Sequence, residues 1–535
     1  MISRLQALAA AVAALALTLV PAGLARAQAA PAAPVPLASV TVDTRTPGAT
    51  IPRDFIGISL EVSTAGQGIG AFQGGAPAAA AAEQPVYALG HPGRPNRVYF
   101  RLLRNLGAGI LRLGGNSQDN TCWAREAAPH PEACEGGLDA ADLRLFAEAS
   151  RGSGWPLIVG LNLKQNAPAW ALREVTEGVA REIPRAFVLA LEPGNEPDLF
   201  GRDGYRPQTY SPSVDALEFV AYLHAFQADP GARGYRLVGP ATCCGWRNAR
   251  DLAVFVDGVG PASLKWITVH NYPATVCGGR TLGIAQLLSR ELMDGFAAGA
   301  RPLVAVARER GVPIAMAETN SASCGGMPGV SNAFASALWG LDYAFVLAQE
   351  GFVAVSFHTS YRPSGGSSYN AVDTYGQPDA AGHWRYRNVV EPLYYAMYLF
   401  ARHASGGRLL PASVESGAAV GGAAVGGAAN VRAYAVTRCA GCAVNVFVLN
   451  KDTSAAGPVR VRLTGRMGVA SLLLLSAPSL GSLAPDVWLG GRQFDAAGTI
   501  APPRTVPVRP DAAGEYVFEL PNATVALLTV SPARR

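Results

Sequence analysis

The sequence predicts an α/β protein: a (β/α)8 TIM barrel with an accessory C-terminal β-sandwich completed by an N-terminal strand. Three observations carry this. Across 51–403, eight short apolar runs alternate with stretches of helical period; beyond Arg402 that period stops and alternating runs replace it; and one more strand-like run, "PLASVTVDT", precedes the barrel. Eight strand-then-helix repeats in roughly 350 residues fit a closed parallel barrel, whose strands are covered on both faces and so read as apolar throughout.

In order, the runs are "FIGISLEV", "GILRLGG", "LIVGLNL", "FVLALEPGNE", "RLVGP", "WITVHNY", "PIAMAETN" and "FVAVSFH". Helix-like segments such as "LDAADLRLFAEAS" and "SNAFASALWGLDYAFVLAQE" lie between them. "RPNRVYFRLLRNLG" looks basic, but Arg97, Arg101 and Arg104 recur at helical spacing opposite Val98, Leu102, Leu103 and Leu106, the pattern of a solvated helix face. "GGAPAAAAAEQP" is a low-complexity insert after the first run, and "GAAVGGAAVGGAAN" a small repeat that predicts an irregular loop. From there "VRAYAVT", "AVNVFVLN", "VRVRLTG", "ASLLLLS", "GEYVFELP" and "ATVALLTV" alternate between turn residues, as sandwich strands do. The expected division is 1–27 signal peptide, 28–50 N-terminal strand joining the sandwich, 51–403 barrel and 404–535 sandwich.

The first residues place Arg4 before an Ala/Leu/Val core and the triplet Ala25-Arg26-Ala27, which reads as a secretory signal cut near Gln28. No later run reaches the roughly 20 apolar residues of a spanning helix, so a soluble exported protein, periplasmic or secreted, is expected. With 49% hydrophobic and 16% charged residues the chain can bury a large core. Its net charge of +5 is dispersed over many arginines, which excludes a nucleic-acid partner and tolerates an anionic substrate.

Eight cysteines in an exported chain favour disulfides over metal sites. Cys122 and Cys134 share one loop. Cys439 and Cys442 have CxxC spacing without a second CxxC or a zinc-finger context, leaving a short-loop disulfide or two thiols. Cys243, Cys244, Cys277 and Cys324 have no unique pairing. No HExxH, GxSxG or Walker loop is present, and "GQGIGAFQGG" lacks dinucleotide-fingerprint spacing, so neither cofactor nor metal is expected.

In such a barrel the site lies at the C-terminal strand ends. Polar residues ending the runs are Glu61, Asn116, Asn195, Glu196, His270, Tyr272, Glu318 and His358. Glu196 ends the fourth run and Glu318 the seventh. Two carboxylates facing each other across a barrel mouth are what glycosidic cleavage requires: one protonates the leaving oxygen, the other attacks the anomeric carbon or activates water. Asn195 could hold a sugar hydroxyl, Pro197 fixes the turn that aims Glu196, and His270 could orient a carboxylate or sugar, or be a satisfied buried histidine.

"LRLGGNSQDN", "ALEPGNEPDLF", "ITVHNYP", "AMAETNSASCGG", "SNAFASALWGLDYAFVLAQEG" and "SSYNAVDTYGQP" together resemble, in order, segments of glycoside hydrolase family 79, the β-glucuronidase and heparanase family. The resemblance implies a retaining β-glucuronidase, with Glu196 as general acid/base and Glu318 as nucleophile, carboxyl groups roughly 5 to 5.5 Å apart, and a carbohydrate bearing β-linked glucuronic or 4-O-methylglucuronic acid as partner. It further implies that Tyr369 and the amides of Gly325 and Gly326 hold the uronate carboxylate, and that Glu61 and Asn116 line the sugar site, where the strand-end residues Asn195, His270 and Tyr272 are also expected to bind substrate. Tyr369 could equally be a packed aromatic. One departure stands out: where several relatives carry a tyrosine before the glycines, this chain has Ser323-Cys324. A serine hydroxyl or amide could replace it, or Cys324 could tie this loop to Cys277 in the preceding one. The alternatives are a β-glycosidase for xylose or galactose, and a carbohydrate-binding protein without catalysis. A monomer is expected.

Overall fold

The computed structural model describes residues 36–65, 84–85, 88–124, 134–360, 367–381, 383–416, 428–465 and 467–533. The signal-peptide reading, the "GGAPAAAAAEQP" insert up to residue 83, and residues 417–427 of the Gly/Ala repeat lie outside them. No helix among the described residues is long and apolar enough to cross a membrane.

Eight parallel strands close a barrel: Ile56–Glu61, Ile110–Gly114, Leu157–Leu161, Val188–Pro193, Leu237–Thr242, Leu264–Asn271, Ile314–Thr319 and Val355–Thr359, the last pairing with the first. These are the eight apolar runs. The first, second, third, fifth, seventh and eighth are buried at every position, as strands covered by helices outside and side chains inside must be. A helical segment follows each strand. The segment after the second, Ala140–Ser153, is bounded as its sequence dictates: Asp139 and Asp142 form a capping box, and Gly154 ends it in the left-handed conformation that a side chain disfavours.

After the eighth strand comes an element that the periodicity did not reveal. Val372–Pro378 and Trp384–Val390 form an antiparallel hairpin, with Gln84–Pro85 adding a short third strand. The hairpin follows the segment carrying Tyr369.

The C-terminal strands build a sandwich. One sheet orders Ala412–Ser416, Ala38–Val42, Gly457–Leu463 and Tyr516–Leu520, so the strand ahead of the barrel sits between two strands that follow it. The other orders Arg408–Leu410, Val431–Thr437, Val444–Asn450, Thr524–Pro532, Met467–Ser476 and Trp488–Leu489, with Val506–Val508 also against Met467–Ser476. Val40, Val461 and Phe518 of the first sheet share a core with Val446 and Leu528 of the second. The helix Phe334–Glu350, apolar all round in sequence, is buried along nearly its whole length. Its Phe345 stacks on the sandwich residue Tyr434 at 4.4 Å between ring centroids, and its Asp342 accepts hydrogen bonds from the Tyr434 hydroxyl and Lys451 Nζ.

All eight cysteines are paired: Cys122 with Cys134, Cys243 with Cys244, Cys277 with Cys324, and Cys439 with Cys442.

Candidate active site

Inward-facing residues of neighbouring strands meet in register near the C-terminal end of the barrel. Ser59 pairs with Arg112 on one side and His358 on the other, and His270 pairs with Glu318. Arg112 is wholly buried. Its Nε donates to Glu192 at 2.5 Å, one terminal nitrogen to Glu318 Oε2 at 2.8 Å and Ser59 Oγ at 3.0 Å, and the other to Asn195 Oδ1 at 2.8 Å. A charge this deep persists only when paired on every side. Sequence reading passed over Arg112. The available signal was a lone cation inside the apolar run "GILRLGG".

Glu318 accepts a second hydrogen bond, 2.8 Å from the Tyr272 hydroxyl at Oε1, while His358 Nδ1 stands 3.6 Å and His270 Nδ1 4.0 Å from Oε2. Burial alone would raise its pKa; His358, His270, Arg112 and the Tyr272 hydroxyl together outweigh that and hold it down at about 2. Glu318 is therefore ionised at neutral pH.

Glu196 is placed differently. It follows the fourth strand in the left-handed region, φ 53°, a conformation that costs a residue with a Cβ roughly 1–2 kcal/mol. Surrounding bonds enforce it. The Glu196 amide donates to the Ala241 carbonyl at 3.0 Å, the Asn195 amide to Asp119 at 2.8 Å, and Asp198 accepts the amides of Cys243, Cys244 and Gly245. The Glu196 side chain meets His270 Nδ1 at 3.1 Å. Burial, then the charges of Glu318 and Asp198, push its pKa well above the carboxylate range. Burial pulls His270 down to about 4, so at neutral pH a neutral imidazole faces Glu196. One oxygen of Glu196, one oxygen of Glu318 and one His270 nitrogen lie within 4.8 Å of one another.

The other residues singled out in the sequence surround this pair at different depths. Tyr272 and His358 stand beside Glu318. Asn195 bridges inward to Arg112 and, at 3.3 Å, outward to the exposed Asn116. Glu61 sits behind them: it accepts the Asn116 amide and the Ser117 amide and hydroxyl, with His358 Nε2 at 3.5 Å. A Cβ on Gly115 would come within 2.4 Å of its carboxylate, so that turn needs its glycine. Tyr369 is 4% exposed, its hydroxyl 3.4 Å from Ser360 Oγ and its ring beside Tyr272 and His358. Gly325 accepts the Ser368 amide, and a Cβ on Gly326 would meet Ser331 at 2.8 Å and Tyr369 at 3.2 Å, so the loops after the seventh and eighth strands pack through glycine. Ser323 donates to Thr275 across a short parallel pairing of Ala274–Thr275 with Ala322–Ser323, which the Cys277–Cys324 disulfide closes.

Among the described residues, two clusters have the spacing of metal ligands: Glu196, His270 and Glu318, and Asp198 with Cys243 and Cys244. In the second the sulfurs are already joined to each other, and Asp198 is saturated by amides. In the first, the opposed proton affinities of the two glutamates suit proton transfer.

A (β/α)8 barrel carrying such a pair at the ends of its fourth and seventh strands has the architecture of the glycoside hydrolases. Within that class it resembles the β-glucuronidase and heparanase family. It is 26% identical over 322 residues to a β-glucuronidase of Neurospora crassa, covering 52% of this chain and 56% of that one. It is 26% identical over 283 residues to a heparanase of Gallus gallus, covering 51% and 48%. The chain thus spans about half the length of the relatives it matches. No family model matches it. Among solved structures, a 4-O-α-L-rhamnosyl-β-D-glucuronidase of Fusarium oxysporum superimposes with a TM-score of 0.68 at 18% identity, over 91% of this chain and all of that one, which shows the shared fold.

Proposed function

We propose that the chain is an exported retaining β-glycosidase that releases β-linked glucuronic acid, or its 4-O-methyl form, from a polysaccharide or glycoconjugate. The observation that carries this is the pair Glu196 and Glu318: oxygens within 4.8 Å, one carboxyl driven toward its protonated form and the other toward its ionised form. Inversion needs carboxyl groups about 6.5–9.5 Å apart to admit a water, whereas retention needs about 5–5.5 Å. The relatives' names supply the sugar, and the four disulfides and the N-terminal segment support export.

In the first step the Glu318 carboxylate attacks the anomeric carbon as the glycosidic C–O bond breaks, and Glu196 gives its proton to the departing oxygen. A glycosyl ester on Glu318 results. That ester removes the charge that held Glu196 protonated, so Glu196 becomes a base, takes a proton from water, and the water oxygen displaces Glu318. Arg112 and Tyr272 keep Glu318 ionised and aimed, and Tyr369 with Gly325 and Gly326 is the corner assigned to the uronate.

Kinetics with aryl glycosides test the roles. Glu318→Gln abolishes turnover; Glu196→Gln retains the first step for leaving groups of low pKa and is accelerated by azide. Equal losses in both variants, without azide rescue, would refute the assignment. Faster hydrolysis of an aryl β-xyloside than of the β-glucuronide would instead make the sugar neutral. Tyr369→Phe weakens the glucuronide more than a neutral glycoside, and equal effects reduce Tyr369 to packing.

A further inference from the structure

The loops after the sixth and seventh strands are tied together three times within a few residues. Ala274–Thr275 pairs in parallel with Ala322–Ser323, the Val276 amide donates to the Ser323 carbonyl, and Cys277 is bonded to Cys324. The strands that carry these loops already pair within the barrel, Ile267 opposite Ile314 and Asn271 opposite Thr319. The disulfide therefore fixes loop against loop, not strand against strand.

What it fixes is an unusual turn. Cys324, Gly325 and Gly326 follow one another at φ 64°, 89° and 76°, three successive residues in the left-handed region. Glycine takes that region freely, whereas Cys324, which has a Cβ, is strained there and is held by its bond to Cys277. Successive amides in such a turn line a concavity that receives an anion. None of these three amides donates a hydrogen bond among the described residues. The rest of the turn leads to the active site: the Gly325 carbonyl accepts the Ser368 amide at 2.7 Å, and Gly326 packs against Tyr369, whose ring stands beside Tyr272 and His358.

Ser323 does not stand in for the tyrosine that the family resemblance expects before the glycines. Its one hydroxyl proton goes to Thr275 Oγ1 at 2.7 Å, with the Cys277 sulfur 3.3 Å from the same Ser323 oxygen, so none is left for a sugar carboxylate.

We propose that the Cys277–Cys324 disulfide is a positioning device for the acidic sugar: it holds the turn 324–326 with its unpaired amides toward the uronate carboxylate, in place of the missing tyrosine. Binding of a uronate depends on it, and bond cleavage by Glu196 and Glu318 does not. This rests on the uronate reading above and adds what holds that corner in shape. A disulfide that served the fold alone would lower thermal stability when removed and leave substrate binding as it was.

The test compares wild type with the double variant Cys277→Ser, Cys324→Ser on an aryl β-glucuronide and an aryl β-xyloside. The variant is expected to raise KM for the glucuronide about tenfold with little change in kcat, and to shift KM for the xyloside much less, the signature of lost ground-state binding to one substrate. A lower melting temperature with an unchanged glucuronide KM, or equal losses on both substrates, overturns the proposal. Should the variant not fold, wild type can be partly reduced with a phosphine, its thiols alkylated and the modified peptides mapped. The rise in glucuronide KM should then follow the opening of Cys277–Cys324; a rise that follows another of the four disulfides, or no rise, overturns the proposal. A wild type faster on the xyloside than on the glucuronide refutes the uronate reading and the positioning role with it. Should wild type cleave neither, the glycosidase reading fails on its own, and calorimetric titration with glucuronate decides the turn. Affinity about tenfold weaker in the double variant supports the role, and equal affinity in both proteins, or no binding to wild type, overturns it.

Discussion

Replacing Arg112 with methionine would leave two buried carboxylates, Glu192 and Glu318, without their common cation. Stripping one partner from a buried ion pair costs about 3–5 kcal/mol, so the urea midpoint should fall. The catalytic signature is separate. In the proposed mechanism activity requires Glu318 ionised, and its pKa of about 2 depends partly on Arg112. Without that charge the pKa rises, and the acidic limb of the kcat/KM profile should move to higher pH while the alkaline limb, set by loss of the Glu196 proton, moves less. Glu174 behaves in the opposite sense. It is 5% exposed, lines a small hollow with Trp123 and Trp170, and burial pushes it up to about 8. The folded state keeps that proton to about pH 8, whereas the unfolded chain releases it near 4.5, the ordinary value for a glutamate. Stability is thus present at low pH and declines as pH rises through that window, by up to about 1.4 kcal/mol per unit. Glu174→Gln should flatten the slope, so its stabilisation, read from thermal melts, should be larger at pH 8 than at pH 5.

At the scale of elements, the joint between barrel and sandwich centres on Asp342. Lys451 and Asp342 form an ion pair with no exposure on either side chain, and Tyr434 adds its hydroxyl. Lys451→Met should destabilise by about 3–5 kcal/mol, and adding Asp342→Leu should recover most of it, because an apolar pair avoids the desolvation of both charges. Denaturant melts of the single and double variants check this. The same helix shows why some elements are legible and others are not. Phe334–Glu350 is apolar all round because two layers cover it, and the eight barrel strands announce themselves by equally continuous runs. Glu196 and Glu318 stood out as carboxylates ending such runs. Arg112 did not, because its meaning lies in four partners on three other strands and a loop, and one-dimensional spacing does not show them. The hairpin Val372–Pro378 and Trp384–Val390 was missed for a related reason. "VDTYGQP" and "WRYRNVV" mix charged and aromatic residues without the strict alternation that marks a half-buried strand.

For the molecule as a whole, the strand Ala38–Val42 matters beyond its length. It pairs in parallel with Gly457–Leu463, Ala38 opposite Val459 and Val42 opposite Leu463, and antiparallel with Ala412–Ser416. A variant lacking residues up to 43 should lose solubility, since it would bare two strand edges and the core contacts of Leu37, Val40 and Val42. A synthetic peptide of residues 36–43 should restore its melting temperature in proportion to the peptide added. This arrangement also sets a timetable. The strand leaves a ribosome ahead of the barrel, and both of its neighbours leave after the barrel. At about 5–20 residues per second, roughly 20 to 80 seconds pass before its parallel neighbour has been synthesised. During that interval the barrel can form while the sandwich cannot close, so a short strand with Val40 and Val42 on one face must be shielded from other chains until Gly457–Leu463 arrives.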